Sequence, residues 1–545
     1  MEALAVRDLT FSYAGNKENT VSNICFSLEK GDFLALCGAT GSGKSTLLRL
    51  LKKELRPNGR LSGEVIVSGD SLENMDVRTS ATKVGFVFQR PEQQIVTDKV
   101  WHELAFGLEN LGVETGTIRR RVSEMAAYFG IESWFEKSVS ELSGGQKQLL
   151  NLASVMVMQP EILVLDEPTA QLDPIAASDF IATLSKLNRE LGLTVVIAEH
   201  RLEEVVPVSS KVLALEKGRV FAFGKTRETA LKLCENSLLL GGMPSSLRIS
   251  AALNEKEHCP LTVREGRSYI ESNFNSHHIR ISEAEKEDLK GEKVLEFSDV
   301  FFRYGKNLPD VLRGLSFSAF SGEILCVLGG NGSGKSTALS CAAGVRKPYS
   351  GKISVLGKNI SKYSRGELYN NCIALLPQDA QTLFLCNTVK EELEDAKIAA
   401  KELPFDLTEL LDRHPYDLSG GQQQLLALAK VLAAKPKVLL ADEPTKGLDA
   451  EAKLKVAEVF RKLKAEGITV VIVTHDVEFA AECADRCAMF FRGEITSCER
   501  PREFFEGNNF YTTVANRMTR GYYFGIVTVK DAIELAKRNG RKGKW

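Results

Sequence analysis

A nine-residue glycine-rich stretch that occurs twice constrains this chain more than any other feature. Gly38-Ala39-Thr40-Gly41-Ser42-Gly43-Lys44-Ser45-Thr46 returns as Gly329-Gly330-Asn331-Gly332-Ser333-Gly334-Lys335-Ser336-Thr337. Two further stretches return with it in the same order. Leu142-Ser143-Gly144-Gly145-Gln146 reappears as Leu418-Ser419-Gly420-Gly421-Gln422, and Asp166-Glu167-Pro168-Thr169 as Asp442-Glu443-Pro444-Thr445. Matching segments in a fixed order mark an internal duplication, so the fold is expected to be two similar bodies. The second copy is the shorter: Gln378 to Ser419 spans 41 residues, against 54 from Gln89 to Ser143. The difference falls in a peripheral insert rather than in the core.

Each copy reads as alternating α/β. Phe33-Leu34-Ala35-Leu36-Cys37 is a short apolar strand running into the glycine loop, and Ser45 to Leu55 follows as a helix. Ile162–Leu165 and Val195–Ala198 are apolar runs of the kind buried in parallel sheets, repeated as Ile324–Leu328, Val438–Leu440 and Val470–Val473. Between Gln89 and Ser143 the periodicity turns helical over Val100–Leu111 and Ile118–Phe129.

A Gly-x4-Gly-Lys-Ser loop between strand and helix is built to hold phosphate. Glycines let backbone N–H groups turn inward, and the helix N-terminus adds partial positive charge. Lys44 and Lys335 would reach the β- and γ-phosphates, and Ser45 and Ser336 would ligate Mg²⁺. With glycine near 7% of residues, one chance match in a chain of this length has a probability of about 0.02, and here there are two. Asp166 and Asp442 end apolar strands and would hold Mg²⁺ through water. Glu167 and Glu443 follow and would polarise an attacking water as general base. His200 and His475 lie 34 and 33 residues after those aspartates, a matching offset that suits a γ-phosphate contact.

These motifs, in this order and twice, resemble tandem ABC-type ATPase domains over roughly residues 1–225 and 293–500. The resemblance implies two P-loop NTPase domains, each a RecA-like α/β core with a helical subdomain, paired head to tail within one chain. It implies ATP and Mg²⁺ as cofactors, and adenine stacked on Tyr13 and Tyr304. Gln89 and Gln378 match the family's Q-loop, which senses Mg²⁺ and the membrane partner; Asp173 and Asp449 match its D-loop. The signature Ser143, Gly144, Gly145 and Gln146 would close on the ATP of copy two, and Ser419, Gly420, Gly421 and Gln422 on that of copy one. The domain reading is 1–235 for the first ATPase, 236–292 for a connecting segment, 293–505 for the second ATPase and 506–545 for a C-terminal extension.

A narrower resemblance sits in the flanks. Phe88-Gln89-Arg90-Pro91-Glu92-Gln93-Gln94-Ile95, Ala170-Gln171-Leu172-Asp173-Pro174, Glu199-His200-Arg201 and the tail Asn508–Met518 look like ATPases of energy-coupling factor (ECF) importers. That implies a membrane coupling protein and a small substrate-binding membrane protein as partners. It also implies a peripheral place on the cytoplasmic membrane face, one chain per transporter, and vitamin or transition-metal uptake. Leu149 and Leu425 depart from the arginine that many relatives carry after the signature, and Lys446-Gly447 differs from Ala170-Gln171. No catalytic group is lost, so both sites read as competent. A ribosome-directed tandem ATPase is the first alternative, but residues 225–293 carry 11 basic and 11 acidic side chains, whereas that class tends to have a basic arm. The fused ATPase of a sugar-type importer is the second, and there one site is often degenerate.

Composition agrees. Lysine plus arginine total 70 against 71 acidic residues, which argues against bulk coating of nucleic acid. The apolar runs fall far short of the ~20 residues a spanning helix needs. The N-terminus carries charges at Glu2, Arg7 and Asp8 and lacks an apolar core like that of a signal peptide. Eleven scattered cysteines read as reduced thiols of a cytoplasmic protein, with Cys483 and Cys487 in the core. His258, His277 and His278 read as solvated, and so does the basic end Lys537–Trp545, for which anionic lipid is the sharper option. Finally, Leu261-Thr262-Val263-Arg264-Glu265 resembles Val527-Thr528-Val529-Lys530-Asp531, so each ATPase copy is expected to carry a small C-terminal appendage.

Overall fold

The computed structural model describes residues 2–16, 18–253, 259–276 and 291–542. His258, His277, His278 and the last three residues of the basic end lie outside them. The chain divides into two compact units, Met1–Arg248 with Lys256–Thr262, and Ile249–Glu255 with Val263–Trp545.

In the first unit the apolar runs build a six-stranded sheet. Its order is Val84–Val87, Ile162–Asp166, Thr194–Ala198, Phe33–Gly38, Lys211–Glu216, Arg219–Lys225. All pairings are parallel except the last, an antiparallel hairpin at the edge. Helices cover both faces, so the inner strands are buried throughout and need no polar alternation. A second sheet, antiparallel, runs Val21–Glu29, Glu2–Tyr13, Gly59–Val67, Asp70–Ser71 and packs its apolar face into a shared core with the first. The helical insert is where the 3.6 periodicity placed it, as Val100–Asn110 and Thr115–Tyr128.

The second unit repeats the plan. Ile373–Leu376, Val438–Asp442, Thr469–Thr474, Ile324–Leu328, Arg486–Phe491 and Glu494–Glu499 form a sheet in the same order, with an antiparallel edge pair in the same place. The missing residues can be located: Val389–Asp395 is helical, but short 3-10 turns at Ala400–Glu402 and Thr408–Leu410 stand where the first unit has its fourteen-residue helix. Cys483 and Cys487 are both buried, but not through helical spacing: Cys483 ends the helix Val477–Cys483, and Cys487 lies on the strand Arg486–Phe491, where the chain has turned back into the sheet.

The weak five-residue repeat also has a structural meaning. Both copies of it open an eleven-residue helix, Val263–Asn273 and Val529–Asn539. Thr528 and Asp531 form a capping box at the second. Within the second unit these helices share one small core, in which Ile249, Tyr269, Ile270 and Phe274 meet Ala515, Met518, Ile526, Leu535 and Ala536. Tyr523 Oη donates to the Asn275 carbonyl at 3.1 Å, and Lys542 Nζ to that of Glu271 at 2.7 Å. Ile270 is fully buried there. Ile270→Ala is therefore expected to cost the appendage about 2–4 kcal/mol. Hydrogen exchange would show it as faster amide exchange in Val529–Asn539; unchanged rates there would mean that the two helices do not stabilise each other.

Candidate nucleotide sites

Both glycine loops leave the sheet at the C-terminal end of a central strand, in the crevice where open α/β sheets present their ligands. The backbone explains the glycines. A Cβ on Gly38 would stand 2.5 Å from the Leu215 carbonyl oxygen, and one on Gly329 would stand 2.5 Å from that of Phe490. Gly43 and Gly334, immediately before the helices, adopt φ of 97° and 112°. The lysines fold back over the loops. Lys44 Nζ donates to the Gly38 and Ala39 carbonyls at 2.8 and 3.1 Å, and Lys335 Nζ to those of Gly329 and Gly330 at 2.9 Å each.

Around each loop the carboxylates converge as the motifs foretold. Ser45 Oγ donates to Asp166 Oδ1 at 2.9 Å, and Ser336 Oγ to Asp442 Oδ1 at 2.9 Å. Burial, with the neighbouring Glu167 charge, pushes Asp166 up to about 6; burial does the same to Asp442, also to about 6. Each is a buried anion short of positive charge. The Ser42 and Ser333 hydroxyls are buried within the loops with no hydrogen-bond partner. Hard oxygen donors, an under-compensated aspartate and an orphaned hydroxyl together fit a phosphate with Mg²⁺.

Glu167 and Glu443 adopt left-handed φ of 47° and 49°, unusual for a side chain of that size. The twist follows the strand end, where Glu167 N donates to the Ala198 carbonyl at 2.9 Å and Glu443 N to that of Val473 at 2.8 Å. It brings each carboxylate to its histidine: Glu167 Oε1 lies 2.9 Å from His200 Nε2, and Glu443 Oε1 lies 3.0 Å from His475 Nδ1. The copies then diverge. Gln89 Nε2 donates to Glu167 Oε2 at 2.8 Å, whereas Gln378 is exposed. Burial pushes the Glu443 carboxyl up, but the His475 hydrogen bond and charge, with Lys335, outweigh it and hold it below its ordinary value. Tyr13 Oη meets Thr46 Oγ1 at 3.1 Å and Tyr304 Oη meets Thr337 Oγ1 at 2.9 Å, which places an aromatic ring beside each loop.

The signature residues have a second job that their spacing also encodes. Ser143 and Gln146 form a capping box on helix Gly144–Met156, and Ser419 and Gln422 form one on Gly420–Leu432. Asp173 and Asp449 are simple N-caps of the helices Pro174–Leu191 and Ala450–Ala465, accepting from the amides of Ala176 and Ala452. Gly144 is different, because open space surrounds the position of its missing Cβ. Nothing in that surrounding asks for glycine. Gly145, Gly420 and Gly421 do have neighbours, Ala176 at 3.7 Å, the Gly447 carbonyl oxygen at 3.8 Å and Ala452 at 3.0 Å. Leu149 and Leu425 pack against the cores, so their apolar character suits their surroundings.

Sequence reasoning missed three pairs of glutamates or their substitutes. Glu103 and Glu392 are buried and hold the loop after each Q-loop glutamine. Glu103 Oε2 accepts from the amides of Val96 and Thr97 at 3.0 and 2.8 Å; Glu392 Oε1 accepts from those of Leu385 and Cys386. Glu203 and Glu478 stand three residues beyond His200 and His475. Glu203 Oε2 accepts from Ser245 N at 2.8 Å, and Glu478 Oε1 from Val514 N at 2.7 Å. Glu199, raised by burial, clamps the Asp-Glu-Pro-Thr turn by accepting from Thr169 N at 2.8 Å; the equivalent position in copy two is Thr474, whose hydroxyl donates to Glu443 Oε2 at 3.3 Å instead. The duplication itself was the signal, since the first two pairs recur at fixed offsets from the motifs.

Strand, phosphate loop, acidic strand end and histidine define two P-loop ATPase domains of the α/β class. The ABC transporter family profile matches residues 21–170 and 312–446. A Bacillus anthracis protein described as an ABC transporter ATP-binding protein is 42% identical over 98% of both chains. A Bacillus subtilis protein whose name assigns it to HMP/thiamine import is 34% identical over 89% of both. The solved structure of cbiO1 from Clostridium perfringens, part of the ABC transporter complex cbiONQ, is 30% identical, covers 43% of this chain and 96% of that one, and has a TM-score of 0.39. The chain belongs to the ABC transporter family of ATP-binding proteins, and it carries two ATPase domains.

Proposed function

We propose that the chain is the ATP-driven motor of an importer of the energy-coupling factor type, peripheral to the cytoplasmic face of the membrane, with one chain per transporter. The observation that carries this reading is the presence of two full sets of Lys, Ser–Asp and Glu–His groups in one polypeptide. ATP would sit on both loops, stacked on Tyr13 and Tyr304. Ser45, Asp166 and Gln89 in copy one, and Ser336, Asp442 and Gln378 in copy two, would hold Mg²⁺, which neutralises charge developing on the phosphates. Glu167 and Glu443 would take a proton from the attacking water, oriented by His200 and His475. The signature Ser143 to Gln146 would complete the site of copy two, and Ser419 to Gln422 that of copy one. The unneeded glycine at 144 supports this, since a backbone left bare at a helix N-terminus suits a phosphate arriving from elsewhere. Closure on ATP and opening after hydrolysis would then drive a membrane coupling protein.

The surface that meets that partner would be the loop seven residues after each Q-loop glutamine. Val96 is 67% exposed and Leu385 82%, at the same register, and a buried glutamate fixes each. Leu104 and Leu108, by contrast, belong to the core, while Trp101 remains exposed. Among the described residues no helix is long and apolar enough to cross a membrane, so transport needs such a docking site. Val96→Asp with Leu385→Asp is expected to release the chain from membranes containing its partner and to leave basal ATPase within about twofold, since surface changes alter stability little. Retention of the double variant on partner-containing membranes, together with equal binding to protein-free anionic vesicles, would overturn this docking surface in favour of lipid attraction. The similarity to a relative named for thiamine import favours a vitamin as the cargo.

A further inference from the structure

Counting back from the two anchored amides exposes a difference between the copies. Ser245 and Val514 are equivalent, since each gives its backbone N–H to the glutamate three residues past the histidine. Three residues before them stand Gly242 and Tyr511. The Tyr511 hydroxyl lies 3.5 Å from where a Cβ of Gly330 would be, at the start of the second phosphate loop. Gly242 has no side chain to do the same. The loop residues differ in step: Ala39 in copy one, Gly330 in copy two.

Tyr511 is not loosely placed. Thr512 Oγ1 donates to the Phe505 carbonyl at 2.8 Å, Arg520 donates to the carbonyls of Glu506 and Asn508, and the Val514–Glu478 bond closes the segment from the other side. Glu478 lies on the helix Val477–Cys483, capped by Asp476, the residue after His475. The C-terminal extension is therefore anchored to the helix that follows His475, and it brings Tyr511 up to the loop. Which end of the loop is also defined. Lys335 Nζ rests on the Gly329 and Gly330 carbonyls, and this ammonium is the group that meets the β- and γ-phosphates. Tyr511, beside Gly330, therefore stands at the terminal-phosphate end of the loop.

We propose that Tyr511 is a positioning residue of the second ATP site, fixing the terminal-phosphate end of its loop and tying that end to the C-terminal extension, with no counterpart in the first site. The inference rests on the reading of both loops as ATP sites. Copy two then discriminates between nucleoside tri- and diphosphate more sharply than copy one, and the extension feels the difference.

The test uses the full chain with one loop disabled at a time, titrated with ADP and with a non-hydrolysable ATP analogue, both with Mg²⁺. In the Lys44→Ala chain, Tyr511→Phe is expected to lower the preference for the ATP analogue over ADP by roughly three- to tenfold, the scale of one hydrogen bond that the hydroxyl would give when the nucleoside triphosphate is bound. In the Lys335→Ala chain the same change should leave the preference of the first site alone. Tyr511→Phe keeps the ring and its packing, so an unchanged melting temperature separates positioning from folding. An unaltered preference in the Lys44→Ala chain, or an equal change at both sites, overturns the proposal. Failure of the unmodified chain to bind nucleotide at either loop would instead overturn the reading beneath it.

Discussion

Glu167→Gln and Glu443→Gln are each expected to lower steady-state ATP turnover of the full chain by about 100-fold or more, the scale of losing a general base. Each carboxylate sits on its histidine, at 2.9 Å from His200 and 3.0 Å from His475, and is held there by a left-handed backbone that a glutamine can also occupy. The substitution therefore removes the charge and leaves the geometry. If the two sites close together, as proposed, neither can fire singly, and one blocked site should stall both. A single variant that keeps half the turnover would show that the sites act independently. The divergent surroundings, Gln89 on Glu167 but Gln378 exposed, make a residual difference between the two variants measurable by single-turnover kinetics.

Ser143→Arg is the second large effect. An isolated phosphate loop leaves the γ-phosphate under-coordinated, and the signature of the other copy would supply the missing donors. Nucleotide trapping at the Lys335 site is expected to fall at least about tenfold, with a much smaller loss at the Lys44 site. Arginine also removes a helix cap worth about 1 kcal/mol, so a second substitution is needed. Ser143→Asp keeps the cap and places a negative charge where the phosphate would arrive. Both variants should share the site preference if the arrangement is head to tail. A stronger loss at the Lys44 site would refute it.

The contrast between what was legible and what was not follows from the range of the interactions. Strands Phe33–Gly38 and Ile162–Asp166 could be read directly, because a strand buried on both faces is apolar without interruption. The phosphate loops could be read because their glycines answer to local backbone needs. The antiparallel sheet holding Glu2–Tyr13 was not announced, since its strands carry register shifts and mixed faces. Nor could one sequence reveal that Glu203 and Glu478 anchor a helix more than thirty residues onward. Such a glutamate looks like any surface charge until its partner amide is placed beside it. The appendage was only half visible: its repeat was detectable, but the partnership of its helices is set by packing among residues remote in sequence.

That partnership has a consequence during synthesis. Tyr522 reaches back to the carbonyl of Phe274, 248 residues earlier. A ribosome adding about 5–20 residues per second needs roughly 12–50 s to make up that interval. Throughout it, the helix Val263–Asn273 emerges with Tyr269 and Ile270 uncovered, after the first ATPase core has all of its own strands. The nascent chain thus carries a sticky, half-finished patch for a little under half of its translation. Chaperone dependence, and the failure of half-length gene products cut at the repeat boundary, would both trace to these few apolar side chains rather than to either nucleotide site.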